Sequence, residues 1–215
     1  MNGLSESLVH VDGDLIVFDK PAGLLCVPGR GADKQDCLSA RAQAAYPDAL
    51  VVHRLDMATS GLCVLARGAA MQRALSAMFA DRKVDKCYEA VVAGHPQPCG
   101  PAGWSIIDLP IAADWPNRPL QVIDPHAGKP SQTRWRLIRH EDANTSRLEL
   151  QPLTGRTHQL RVHMEALGHP ILGDALYGGP DERARAPRLL LHARELAFIH
   201  PATGAPARFT STTPF

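Results

Sequence analysis

Short apolar runs of strand length alternate with stretches of helical spacing in no regular strand–helix–strand rhythm, and this order points to a mixed α+β fold rather than a doubly wound one. Residues 14–20, DLIVFDK, read as a short buried strand feeding a loop, PAG and then CVPGRG, which proline and glycine punctuate. The alanine-rich stretch from Gln35 to Tyr46, with Leu38 and Ala42 four apart, predicts a helix that Pro47 ends. VVHRLD and LCVLAR read as extended segments around a turn at Thr59 to Gly61, which puts Asp56 just before the turn on an edge open to a ligand. Met71, Leu75, Met78 and Phe79 mark an amphipathic helix whose stripe is plain core. KCYEAVVAG at 86–94 is strand-like, and 95–131 reads as loops broken by one short strand around WSIIDLPI. TRWRLIRH and SRLELQPL read as a hairpin across HEDANT. In TGRTHQLRVHMEALGHP, Leu160, Met164 and Leu167 predict one helical face, with Thr154 as cap and Gly168 and Pro170 as stops. RLLLHARELAFIHP returns to strand.

No repeat, low-complexity tract or linker interrupts the 215 residues, so the expectation is one catalytic domain over 1–215. Apolar residues at 45% and charged residues at 21% exclude a disordered or fibrous chain. The longest apolar runs, such as LCVLA at 62–66 and LLL at 189–191, fall far short of the roughly 20 residues a bilayer span needs. MNGLSESLVHVDGD lacks a basic flank followed by an apolar stretch, so no secretory signal is read and the cytoplasm is the expected compartment. Five cysteines, at 26, 37, 63, 87 and 99, are odd in number and form no CxxC pair, so neither a disulfide framework nor a zinc ribbon is suggested and the thiols are given no role. A net charge of +1 excludes a protein that coats nucleic acid by bulk charge. Local basic clusters at Arg82, Lys83 and Lys86, at Arg134, Arg136 and Arg139, and at Arg183, Arg185, Arg188 and Arg194 each read first as a solvated face.

HRLDMATSG at 53–61 sets a carboxylate beside an arginine and a turn, although a lone Asp at a strand end is more often a turn-former than a catalyst. Its neighbours change that reading. KPAGLLCVPG at 20–29, HRLDMATSG, KCYEAVV at 86–92, LTGRTHQLRVHM at 153–164, GDALYG at 173–178 and RLLLHA at 188–193 resemble, in order, the motif set of the RluA family of pseudouridine synthases. The resemblance covers nearly the whole chain. It implies an α+β pseudouridine synthase fold, a mixed and mostly antiparallel central sheet flanked by helices around an RNA-binding cleft, without the N-terminal S4-like domain of larger members. DLPIAADWPNRP at 108–119 and VPGR at 27–30 are similar to the dual-specificity members, which act on uridine 746 of 23S ribosomal RNA and uridine 32 of transfer RNA anticodon stem-loops. Structured RNA is thus the implied partner, a monomer the expected state, and no membrane is involved.

Turning uridine into pseudouridine breaks the N1 glycosidic bond, turns the base and rejoins it through C5, with no net redox change and no imported atom, so no cofactor or metal is expected. A nucleophile must hold either C1′ of the sugar or C6 of the base meanwhile, and a carboxylate can do so covalently. The resemblance gives that role to Asp56. It makes Arg161 the basic residue that pairs with the aspartate and keeps it ionised, and Tyr88 the aromatic residue that stacks on uracil and moves a proton. Leu191 becomes an apolar support. Arg54 is implied to fill the gap left when the target base is swung out of its stack, with a phosphate clamp as the alternative.

Without the resemblance these residues read as an exposed helical arginine, half-buried strand packing and core. Other readings compete: a pseudouridine synthase with a different ribosomal or transfer RNA target, a noncatalytic RNA-binding module on the same fold, and a hydrolase pairing Asp56 with His53, which lacks a GxSxG elbow. His158, His163 and His169, five and six residues apart, do not form the HExxH zinc pattern.

Overall fold

In a computed structural model of the protein, residues 7–215 are described; residues 1–6, where the segment read as carrying no secretory signal begins, lie outside them. In chain order the elements are β1 (Leu8–Val11), β2 (Leu15–Lys20), α1 (Leu38–Ala45), β3 (Ala49–Val51), β4 (Ser60–Arg67), α2 (Gly68–Ala80), β5 (Asp85–Ala93) and β6 (Trp104–Asp108). There follow β7 (Ile111–Ala113), β8 (Gln121–Ile123), β9 (Gln132–Asp142), β10 (Thr145–Pro152), α3 (Gln159–Ala166), α4 (Pro180–Ala184), β11 (Leu191–Ile199) and β12 (Pro206–Thr210). The fold is mixed α+β, with mostly antiparallel sheet and few helices. No helix among the described residues is long and apolar enough to cross a membrane. Two compact units divide the chain: the first runs to Lys86 and resumes at Ala193–Pro214, and the second is Cys87–His192 with Phe215.

In the first unit β2 lies between β1 and β4, β3 also pairs with β4, and β12 pairs with β11, all antiparallel. DLIVFDK supplies β2, whose Leu15, Ile16, Val17 and Phe18 are wholly buried, and full burial of such side chains contributes about 1.5–3 kcal/mol each. Alternate β2 and β4 residues, Leu15 and Val17 with Leu62, Val64 and Ala66, build one core face, onto which α2 lays Met71 and Leu75. Met78 and Phe79 pack at its margin. Helix α1 starts at Leu38 rather than Gln35, because Cys37 holds extended backbone and its Sγ accepts the Ala40 N–H at 3.4 Å. Cys37, given no role on sequence grounds, is therefore the cap.

The turn read at Thr59 to Gly61 lies earlier. Thr59 N–H donates to the Asp56 carbonyl at 3.1 Å around Met57 and Ala58, while Ser60 and Gly61 already belong to β4. Gly61 serves a different purpose. A Cβ there would stand 2.4 Å from the Ala193 carbonyl oxygen of β11, and its φ of +112° excludes most side chains in any case. Ser-Gly marked a close strand approach, not a corner.

In the second unit the strands run β5, β10, β9, β6, antiparallel at each step. The hairpin between β9 and β10 is tighter than HEDANT suggested, with Ala143 and Asn144 alone between the strands. Region 95–131 holds β6 as read and also the ribbon β7–β8, too short to show alternation in sequence. Helix α3 is shorter than its motif: it starts at Gln159, its cap residue is His158 in the left-handed region (φ 54°), and Thr154 caps nothing. Thr154 Oγ1 instead accepts the Gln132 N–H at 2.9 Å and donates to Gln159 Oε1 at 2.7 Å, joining the strand to the helix. Leu160 and Met164 are buried as read, whereas Leu167 follows the last turn and is 38% exposed. Of the basic clusters, Arg134 and Arg136 lie 3.9 and 4.7 Å from the Trp104 ring centre, and Arg136 also pairs with Glu149.

Candidate active site

Asp56 occupies a half-buried position at the head of the Asp56–Thr59 turn, in an irregular loop between β3 and β4. The KPAGLLC loop holds that turn. Gly23 N–H donates to the Met57 carbonyl at 2.8 Å, and Leu55 N–H donates to Cys26 Sγ at 3.2 Å. Lys20, at the end of β2 and wholly buried, donates to the carbonyls of Pro21 and Leu24 at 2.8 Å each and to that of Met57 at 3.2 Å. A buried ammonium is tolerated only when its donors are met, so these carbonyls both stabilise the cation and lock the two motifs together. A hydrogen bond with Cys63 is the largest cause that brings the Cys26 thiol down to about 7; burial opposes it, while the Leu55 amide and the Lys20 charge assist and the Asp56 carboxylate resists. Arg54, two residues before Asp56, is exposed. Thus Asp56 and Arg54 share one loop of the first unit, and Lys20 and Cys26 are supports the sequence reading named no role for.

His53 is committed to scaffolding. Its Nε2 accepts the Val64 N–H at 3.0 Å and its ring stacks on Phe79 at 4.3 Å, so the acceptor that a hydrolytic base would use is occupied. Burial, with the Lys86 charge adding to it, lowers its pKa to about 3.

Tyr88, Arg161 and Leu191 belong to the second unit. Tyr88 is half-buried on β5, opposite Leu150 of β10. Leu191 opens β11 and is buried next to Leu190, whose carbonyl accepts the Val91 N–H at 3.1 Å and whose N–H donates to the Leu172 carbonyl at 3.0 Å. Arg161, on α3 and 4% exposed, sends Nε to Asp174 Oδ2 at 2.8 Å and Nη2 to Asp174 Oδ1 at 2.7 Å. Burial alone would raise Asp174; the Arg161 fork and charge, with the Leu176 and Tyr177 amides, overcome it and hold the carboxyl below its usual range. Asp174 stands inside GDALYG, and nothing local tells that its partner is 13 residues upstream.

The three motif histidines have separate partners. His158 Nδ1 meets Tyr177 Oη at 2.7 Å, His163 bridges Thr133 Oγ1 and the Leu109 carbonyl at 2.8 and 3.0 Å, and His169 Nδ1 meets the Ala93 carbonyl at 2.7 Å. Among the described residues the one grouping with ligand-like spacing is Asp12, Asp14 and His200. There Asp12 already accepts bonds from the Asp14 and Leu15 amides at 2.8 Å each and lies 2.9 Å from His10. The arrangement offers an oriented carboxylate in one unit, and an aromatic ring and a buried guanidinium in the other.

Residues 14–166 match the RNA pseudouridylate synthase family. The chain is 48% identical over 208 residues to the dual-specificity RNA pseudouridine synthase RluA of Escherichia coli (strain K12), covering 97% of this chain and 93% of the relative. With the protein of the same description from Yersinia pestis it shares 46% over 209 residues, covering 97% and 99%. Among solved structures, human RNA pseudouridylate synthase domain containing 1 superposes with a TM-score of 0.78 at 31% identity, covering 97% of this chain and 84% of that one. Human RNA pseudouridylate synthase domain containing 4 gives 0.77 at 27% identity, covering 98% and 90%.

Proposed function

The chain belongs to the RluA family of RNA pseudouridine synthases as an isomerase of the dual-specificity type, and from that premise we propose that Asp56 is the nucleophile that converts uridine to pseudouridine in structured RNA. The reaction needs a carboxylate that is aimed yet reachable by a base. Asp56 meets both demands: it is half-buried, and its turn is held from behind by Gly23, Cys26 and Lys20. That bracing is the observation that carries the reading. The carboxylate attacks C1′ of the sugar or C6 of the base, the N1 to C1′ bond breaks, the base turns, C5 bonds to C1′, and the carboxylate is released as its own bond to C1′ or C6 breaks, while a proton leaves C5 and one is gained at N1.

On the same reading Tyr88 stacks on uracil and moves a proton, Arg161 is the basic group of the reaction, Leu191 is its apolar support and Arg54 assists extrusion of the base. The substrates are stem-loops of 23S ribosomal RNA and transfer RNA, taken by a monomer in the cytoplasm without cofactor or metal. The 48% identity to a dual-specificity enzyme over nearly the full chain supports this choice.

Asp56→Asn keeps the shape and removes the nucleophile. With RNA tritiated at uridine C5, in excess chelator and without nucleotide, release of label by the variant should fall by at least about a thousandfold while RNA affinity changes little. Release equal to wild type would reject the assignment, and wild-type activity restored only by added metal would reject the metal-free reaction.

A further inference from the structure

We propose that His158 is a positioning residue that fixes the aim of the Arg161 guanidinium through Tyr177. This rests on Arg161 being the basic group of the reaction. His158 precedes α3 with φ 54° and ψ 16°, a left-handed conformation that residues with a Cβ avoid and that is unusual for a helix cap, which is normally extended. Its side chain makes no capping bond. What this backbone geometry accomplishes is to deliver the imidazole to Tyr177, Nδ1 to Oη at 2.7 Å, with the rings edge-on at 5.6 Å and 78°. Tyr177 Oη is held from a second direction by the Gln121 N–H at 2.9 Å.

The phenol ring so anchored lies 5.1 Å from the Arg161 Cζ, within cation–π range. Asp174, which takes both prongs of the Arg161 fork, also accepts the Leu176 and Tyr177 N–H groups at 2.9 and 3.1 Å. A closed circuit results: His158 holds the Tyr177 hydroxyl, the Tyr177 backbone holds Asp174, and Asp174 together with the Tyr177 ring holds Arg161. The His158 carbonyl meanwhile accepts the Val162 N–H at 3.0 Å, so the residue that clasps Tyr177 also starts the helix carrying Arg161. A plain cap would need only a short polar side chain in extended backbone. The left-handed histidine is accounted for by its reach to Tyr177.

The test compares His158→Ala, His158→Asn, Tyr177→Phe and the double variant His158→Ala/Tyr177→Phe with wild type. Single-turnover tritium release and RNA affinity are both measured, on the stem-loops used for Asp56→Asn. Asparagine tolerates left-handed backbone and offers polar atoms near the position of Nδ1. Misaiming a catalytic group without removing it should slow the bound reaction on the order of 10- to 100-fold. His158→Ala should therefore lose that much turnover with affinity within about twofold. His158→Asn should recover most of it, and Tyr177→Phe should match His158→Ala, with no further loss in the double variant.

Wild-type turnover in His158→Ala overturns the inference, as does a folded His158→Asn no better than alanine, or losses that simply multiply in the double variant. If His158→Ala does not fold, Tyr177→Phe, which keeps the ring over Arg161, decides alone: undiminished turnover overturns the inference. Turnover lost in Arg161→Met with an unaffected His158 series rejects this inference only, whereas a wild-type-like Arg161→Met rejects the reading beneath it.

Discussion

At the scale of single residues, Arg54 separates two physical ideas. Its exposure beside Asp56 suits either a guanidinium that stacks where the extruded base stood or a clamp on phosphate. Stacking predicts that Arg54→Ala slows a structured stem-loop by about tenfold or more relative to a short unstructured RNA with the same uridine, and that Arg54→Lys rescues poorly because an ammonium has no flat face. Single-turnover rates on both RNAs at two salt concentrations check this. Equal losses on both, rescue by lysine and a shallower salt dependence in the alanine variant would make Arg54 a clamp. Asp56, Tyr88, Arg161 and Leu191 stand out in sequence as candidates because each sits in a long ordered motif. Their partners do not. Lys20 meets Met57 from 37 residues away, and His158 meets Tyr177 from 19. Such pairings depend on tertiary approach, which leaves no local pattern.

Elements show the same division. Buried strands such as DLIVFDK and the hairpin of β9 and β10 were legible because their runs are apolar or alternating and punctuated by turn residues. Starts and corners were less so. Cys37 caps α1 through a thiol, a residue type absent from the usual cap preferences, and Thr154 spends its hydroxyl on Gln132 and Gln159 rather than on a helix end. Gly61 illustrates how one signal can have two causes, since Ser-Gly suggests a corner while the residue lies in β4 against the β11 backbone. Gly61→Ala should therefore destabilise by more than about 2 kcal/mol, combining left-handed strain with a backbone collision. Urea unfolding of the variant checks it, and a midpoint equal to wild type would show that the two strands can part without cost.

The molecule as a whole carries a pH signature from groups buried neutral. His53 is held near 3 against an ordinary 6.5, and burial lowers His163 as well. The unfolded chain binds protons that the native state refuses, so the His53 contribution is complete above about pH 6.5 and is lost as pH falls towards about 3, by at most about 1.4 kcal/mol per pH unit, and His163 acts in the same direction. Urea midpoints should fall from about pH 7 to about pH 5, and less steeply in His53→Gln, which keeps an acceptor for the Val64 amide but does not titrate. An unchanged slope would mean that His53 takes up its proton within the native state. The central claim is that Asp56 makes pseudouridine in cellular RNA, and mapping pseudouridines in RNA from cells with the protein, without it, and with Asp56→Asn in its place tests it most directly. Sites in 23S ribosomal RNA and transfer RNA should vanish without the protein and be restored by wild type but not by Asp56→Asn; sites that persist without it, or that Asp56→Asn restores, would rule out Asp56 as the nucleophile.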